Sequence, residues 1–145
     1  MRFFFFGTLM DTDVLSLVIG RAVQADTLKP ARLAGFDRVA VQGASYPMIL
    51  PDEDGMVEGV MVAGISPEER EALEAYEGQR YRVTTCMVDG RFQRREVFMF
   101  EPVEGAFTAT DKEWDLLQWQ RHEKADFLES VRRWKTAGKA DRDFS

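Results

Sequence analysis

The chain has 145 residues, 45% of them hydrophobic and 30% charged, with a formal net charge of −6, one histidine and one cysteine. That length and apolar share suit one folded domain around one core and exclude a disordered chain. The acidic balance argues against nucleic acid and anionic membranes as partners, and one cysteine cannot form an intrachain disulfide.

Phe3-Phe4-Phe5-Phe6 places a buried strand over residues 2–6, ended by Gly7. The apolar run is too short for a signal peptide or a membrane span, and Asp11 and Asp13 follow it closely, so a cytoplasmic location is expected. Asp11 or Asp13 caps a short helix with Val14, Leu17 and Val18 on one face and Gly20 as its stop. Residues 31–41 read as a strand with a bulge or bend at Gly35. Tyr46-Pro47-Met48-Ile49-Leu50-Pro51 is Pro-bounded and extended, and Asp52-Glu53-Asp54-Gly55 reads as a turn. Residues 56–65 form the next strand, in which Gly59 admits close approach of another segment.

Ser66-Pro67-Glu68-Glu69 is a capping box with proline at the first helical position, and Gly78 suits the C′ position, so a helix is predicted over 67–77. Residues 81–88 and 91–100 form a hairpin through Asp89-Gly90. Thr110-Asp111-Lys112-Glu113 has the same capping-box pattern and predicts a long helix, straight or kinked, to about Lys135. Trp114 with Leu117, then Phe127, Val131 and Trp134, fit its packed face. Residues 136–145 are expected to fray. Strands dominate the first hundred residues and helices are inserted or added at the end, which predicts an α+β fold with a mostly antiparallel, barrel-like sheet. With no linker or internal repeat, residues 1–145 are expected to form a single domain.

Glu77 breaks a local rule. It falls in the last turn of the predicted helix, where the macrodipole is negative and a cation is favoured. That placement raises a carboxylate's proton affinity, which suits a general base; a solvated glutamate at a helix end is the alternative. Phe6-Gly7-Thr8-Leu9 leaves a strand and leads into a helix, so its backbone N–H groups can form an anion cradle or a plain strand-to-helix turn. An anion cradle with a base fits a substrate carrying both a carboxylate and an ammonium. Cys86 lies in a predicted strand, either as a small buried residue or as a nucleophile, and His122 lies in a charged helical stretch. A Cys/His or Ser/His pair is thus weakly supported, and a His/Cys metal site is excluded.

These motifs resemble those of the gamma-glutamylcyclotransferase-like superfamily, in the branch of plant avirulence-induced proteins and gamma-glutamylamine cyclotransferases. That family opens on Tyr-Gly-Ser/Thr-Leu, here Phe6-Gly7-Thr8-Leu9. A Tyr-Pro-x-x-Leu segment follows, here Tyr46 to Leu50, then a helix ending Leu-Asp-x-x-Glu-Gly with Tyr-x-Arg beyond it. Leu73, Glu74, Glu77 and Gly78 occupy that helix end, with Tyr81 and Arg82 in the next motif; Glu113-Trp114 and Trp119 also match plant-type members. The resemblance spans residues 2–134. It implies a small twisted β-barrel with flanking helices, and a reaction in which the substrate's α-amino group attacks its own γ-carbonyl. The products are 5-oxoproline and a released amine. The implied partner is a small gamma-glutamyl amine or amino acid, with no cofactor and no metal.

On this reading Glu77 is the acid/base, and Phe6, Gly7, Thr8, Leu9, Tyr46, Pro47 and Tyr81 bind substrate. Loops 42–45 and 101–109 select the leaving group. Two positions depart from the family: Phe6 replaces its tyrosine and Glu74 its aspartate. A lost hydroxyl donor can weaken catalysis by about 10²-fold, so a non-catalytic binding protein for a gamma-glutamyl-like metabolite is the alternative. Tyr46, Tyr76 and Tyr81 are either substitute hydroxyls or packing residues. Arg82 either pairs with a buried carboxylate or is solvated.

Overall fold

Four consecutive phenylalanines near the N-terminus divide the interior in two. The structure is a computed structural model that describes residues 1–138; the frayed tail expected over 136–145 lies, from residue 139 on, outside the described residues. Strand β1 covers Phe3–Phe5 and is buried throughout. Alternate side chains of a strand point to opposite faces. Phe4 and Phe6 therefore join Leu33, Ile49, Val57, Val88, Val97 and Met99 in one core, while Phe3 and Phe5 face a second core shared with the helices. Burying each phenylalanine stabilises the fold by about 2–3 kcal/mol.

The other strands are β2 (Lys29–Val41), β3 (Pro47–Val62), β4 (Tyr81–Gly90), β5 (Arg94–Pro102) and β6 (Ala109–Glu113). The ladder runs β3-β1-β5-β4-β2, and β2 also pairs with β3, so five strands close into a barrel. Every pairing is antiparallel except β1 with β5. Strand β2 changes partners along its length. Ala31 and Arg32 pair with β4, and beyond the register shift at Gly35 (φ 88°) Val39 and Val41 pair with β6. Gly59 lies where β3 meets β1, and a Cβ there would come within 2.4 Å of the Phe5 carbonyl oxygen and 2.6 Å of the Phe4 ring. The close approach expected at Gly59 is the one the barrel uses.

Helices α1 (Thr12–Ile19), α2 (Pro67–Glu77), α3 (Leu116–His122) and α4 (Lys124–Thr136) cover the Phe3/Phe5 side. Asp11 caps α1 by accepting from the Asp13 and Val14 amides at 3.0 and 3.1 Å. Its other oxygen accepts from Gln120 Nε2 and lies 2.8 Å from Lys124 Nζ, which docks the last two helices onto the first. The capping box of α2 forms in both directions, Glu69 N–H to Ser66 Oγ and Ser66 N–H to Glu69 Oε1.

Three local expectations are corrected. Residues 52–55 do not reverse the chain: β3 runs through them, and they bulge between the pairs Phe36–Pro51 and Ala34–Met56. The Asp52 carboxylate accepts from the Asp54 amide at 3.1 Å, so the turn chemistry is present inside a strand. The hairpin does not turn at Asp89-Gly90, because Asp89 still pairs with Arg94 and the Gly90 amide donates to the Gln93 carbonyl, leaving residues 91–93 as the loop. Thr110 caps no helix. Its hydroxyl donates to the Ala40 carbonyl at 2.7 Å, and residues 109–113 add a strand to the edge of β2. The helix starts after Asp115, which accepts from the Gln118 amide, and Glu123 interrupts it before α4. Leu117 is consequently exposed, while Trp114, Phe127, Val131 and Trp134 are buried. Among the described residues no helix is long and apolar enough to cross a membrane.

Candidate active site

Where β1 and α2 end and β3 and β4 begin, the structure leaves a cavity. It is lined by Phe4, Phe5, Phe6, Gly7, Thr8, Leu9, Tyr46, Pro47, Glu77, Tyr81 and Phe100. All eight residues assigned to the site from sequence are among them. They arrive from separate elements: Phe6–Leu9 leave β1, Tyr46 and Pro47 open β3, Glu77 ends α2 and Tyr81 opens β4. The cavity opens to solvent and has a volume of about 30 Å³. About 10–15 Å³ on that measure holds one water, so the cavity takes a group the size of about two or three waters and the rest of any ligand extends toward solvent.

A 3₁₀ turn over Thr8–Met10 follows β1. The Met10 amide donates to the Gly7 carbonyl and the Asp11 amide to the Thr8 carbonyl, at 3.0 and 3.1 Å. The amides of Thr8 and Leu9 lie ahead of these donors, so the turn's own carbonyls do not serve them. A Cβ at Gly7 would press on the Pro47 ring at 3.2 Å. The absence of that atom lets the turn lie against Pro47. Thr8 Oγ1 sits 2.6 Å from the Tyr76 hydroxyl in a buried hydrogen bond, which ties the turn to α2 one residue before Glu77. Tyr76 is itself fully buried against Phe127 and Trp134, so it packs and links rather than lining the cavity.

Glu77 is half-buried at the end of α2. Gly78 follows with φ 77°, a left-handed value glycine adopts without strain, and its amide closes the helix on the Glu74 carbonyl at 3.0 Å. The last turn of α2 has no basic residue. At the mouth, the Phe107 ring meets Tyr46 edge-on at 5.7 Å and Tyr81 at 5.2 Å, so loop 103–108 closes on both tyrosines. Tyr46 and Tyr81 are the tyrosines that line the cavity, which Phe6 also lines. Glu74 pairs with Arg70 on the surface at 3.0 Å, and Arg82 is exposed beside Glu101 at 3.6 Å; neither lines the cavity.

A wider groove of about 690 Å³ shares no lining residue with the cavity. It is larger, yet it brings no carboxylate to the Gly7 turn. At its base stands Arg38, a residue for which the sequence carries no signal. Burial pulls the Arg38 guanidinium below its ordinary proton affinity, against the carboxylates of Asp115, Glu58, Asp37 and Glu113, which hold it up. Phe4, Phe5 and Phe100 were also missed as cavity walls, since a core phenylalanine beside a site reads like any other. His122 is exposed at the end of α3, and Cys86 is half-buried in β4 away from the cavity. Burial, with a smaller push from Glu101, raises the Cys86 thiol to about 11, the opposite of an activated nucleophile. Among the described residues no three His, Cys, Asp or Glu side chains gather as a metal site.

Chemically, the cavity offers a carboxylate, two tyrosines and a turn of backbone amides in a partly enclosed space. Known proteins share this chain's sequence pattern and fold. Residues 3–116 match the family model described as gamma-glutamyl cyclotransferase, AIG2-like. An AIG2-like protein A of Arabidopsis thaliana is 31% identical over 132 residues, covering 90% of this chain and 78% of that protein. The solution structure of another Arabidopsis thaliana protein superposes with a TM-score of 0.64 at 27% identity, over 97% of this chain and 94% of that one. A solved gamma-glutamyl cyclotransferase shares the fold with a TM-score of 0.62 at 14% identity, over 90% and 85% of the two chains. The chain belongs to the AIG2-like gamma-glutamyl cyclotransferase family.

Proposed function

We propose that the protein is a cofactor-independent gamma-glutamyl cyclotransferase, cyclising the gamma-glutamyl group of an amine or amino-acid conjugate to 5-oxoproline. The observation that carries this reading is the meeting of Glu77 with the Phe6–Leu9 turn around one cavity. The substrate's α-carboxylate binds the amides of the turn, and its ammonium lies toward Glu77. Glu77 takes a proton from the ammonium; the freed amine attacks the γ-carbonyl, and the new C–N bond closes a five-membered ring. Glu77 hands that proton to the departing nitrogen, then takes a second from the ring nitrogen. It passes the second on as the carbonyl re-forms and the bond to the departing nitrogen breaks. Because the attack is intramolecular, holding the glutamyl arm in one conformer removes much of the entropic barrier. No covalent enzyme intermediate is required, in keeping with a Cys86 thiol held protonated outside the cavity.

The test is 5-oxoproline release from gamma-glutamyl-alanine, gamma-glutamyl-epsilon-lysine, glutathione and a gamma-glutamyl alkylamine, with Glu77→Gln as the paired control. Release that disappears in the variant supports the reading and names the leaving-group class. Normal turnover by Glu77→Gln removes the assigned base.

Phe6 favours a second reading, a binding protein for a gamma-glutamyl-like metabolite. The side chain lines the cavity without the hydroxyl its relatives' motif carries. Saturable binding by calorimetry without product, and product appearing in Phe6→Tyr, would establish it.

A further inference from the structure

The Phe6 carbonyl is held from outside the cavity. Arg38 Nη1 donates to it at 3.0 Å and to the Glu58 carbonyl at 2.8 Å. Phe6 and Glu58 lie just past Phe5–Val60, the last pair of the β1–β3 ladder. One guanidinium nitrogen thus joins two carbonyls where the strands part. The guanidinium carbon also lies 5.5 Å over the Trp114 ring, whose Nε1 donates to the Ser45 carbonyl at 2.8 Å. Arg38 is therefore anchored to three segments and lines the groove, which shares no lining residue with the cavity.

The Phe6–Gly7 peptide is trans, so the N–H of Gly7 points opposite to the Phe6 carbonyl. With that carbonyl bound to Arg38, the Gly7 amide is turned away from the groove, and Gly7 itself lines the cavity. A cation on a carbonyl polarises the whole amide and strengthens its N–H as a donor. We infer that Arg38 is a positioning residue that, from behind the barrel wall, orients the Phe6–Gly7 peptide and strengthens the Gly7 amide as the donor for the substrate's α-carboxylate. The identity of that carboxylate rests on the proposed function; the control of the Gly7 amide does not.

Arg38→Gln removes the charge and keeps one donor, while Arg38→Lys keeps the charge without the planar fork. Two readouts are taken on each: the Gly7 amide resonance in a two-dimensional ¹H–¹⁵N spectrum, and kcat and KM for the best gamma-glutamyl substrate. In Arg38→Gln the Gly7 resonance should move toward a weaker donor. KM should rise about tenfold with kcat nearly kept, because the contact is made in ground and transition states alike. Arg38→Lys should recover part of both. A folded Arg38→Gln with the Gly7 resonance and KM of the parent overturns the inference. So does a kcat loss that tracks a lowered melting temperature while Gly7 stays put, since that is a merely structural role. If Arg38→Gln does not fold, Arg38→Lys decides by the same signs: a smaller move in both readouts supports the inference and parental values overturn it. Should the parent turn over no substrate, the proposed function fails separately, and the Gly7 resonance alone still decides the role of Arg38.

Discussion

The barrel wall around Gly59 and the cavity rim around Glu77 are built on different terms. In the wall, neighbours are set by the ladder and by shape: Gly59 pairs with Ala31 and lies under the Phe4 ring and the Phe5 carbonyl. In the rim, a carboxylate, a threonine and two tyrosines come from the ends of elements far apart in the chain. Ladder bonds and apolar contact hold the wall, and its side chains have nothing to react with. The rim gathers polar groups where ladders stop, with Thr8 and Tyr46 themselves buried. Wall substitutions should therefore register as lost stability, and rim substitutions as lost activity.

The sharpest way to break this contrast is Glu77→Gln. A general acid/base is worth about 10²–10⁴-fold, so kcat should fall by that factor while the thermal midpoint stays near the parent's. A variant that loses both would show that Glu77 holds the rim together. Gly59→Ala tests the wall from the other side. Its Cβ meets a backbone carbonyl and a fully buried ring, so stability should drop by about 3 kcal/mol in urea unfolding. Activity per folded molecule should survive at low temperature.

Asp11 sits between the two regions, 2% exposed, and holds the start of α1 to α3 and α4. Asp11→Ala removes a cap, leaves Gln120 without its acceptor and leaves Lys124 with Asp13 alone, at about 2 kcal/mol. Asp11→Asn keeps the cap and should lose less; equal losses would assign the whole effect to the charge. Smallest is the pH effect of Cys86. Its folded thiol is raised from 9.0 to about 11, so the folded chain keeps a proton that the unfolded chain releases. The contribution is present in full below pH 9 and declines as pH rises through about 11. Alkylation of the native protein by iodoacetamide should titrate in that upper range, and Cys86→Ala should flatten the decline in stability. Fast alkylation at pH 8 would place the thiol in the rim's class of reactive groups.

Much of this contrast is legible along the chain, but unevenly. The capping boxes at 66–69 and 110–113 carry the same pattern, and one opens a helix while the other lies in a strand. At 66–69 proline at the first helical position and glycine at the end agree with the cap. At 110–113 the free edge of β2 offers backbone partners, and Thr110 turns its hydroxyl to Ala40 instead. Residues 52–55 carry turn chemistry but are spanned by a strand because β2 holds the register on both sides of them.

What the sequence alone determined are features set within a few residues. These are the cap at Ser66, the helix over 67–77, and the buried strand at Phe3–Phe6; that Asp11 rather than Asp13 caps α1 came from the structure. The barrel-like α+β class and the residues that gather at the cavity were also readable, through the Phe6–Leu9, Tyr46-Pro47 and Glu77-Gly78 motifs. Only the tertiary structure decided where β2 changes partners, that Thr8 bonds Tyr76, and that Arg38 reaches the Phe6 carbonyl. Local rules act through backbone groups three or four residues apart, whereas these contacts join residues 32 to 74 positions apart, whose meeting depends on the closure of the barrel.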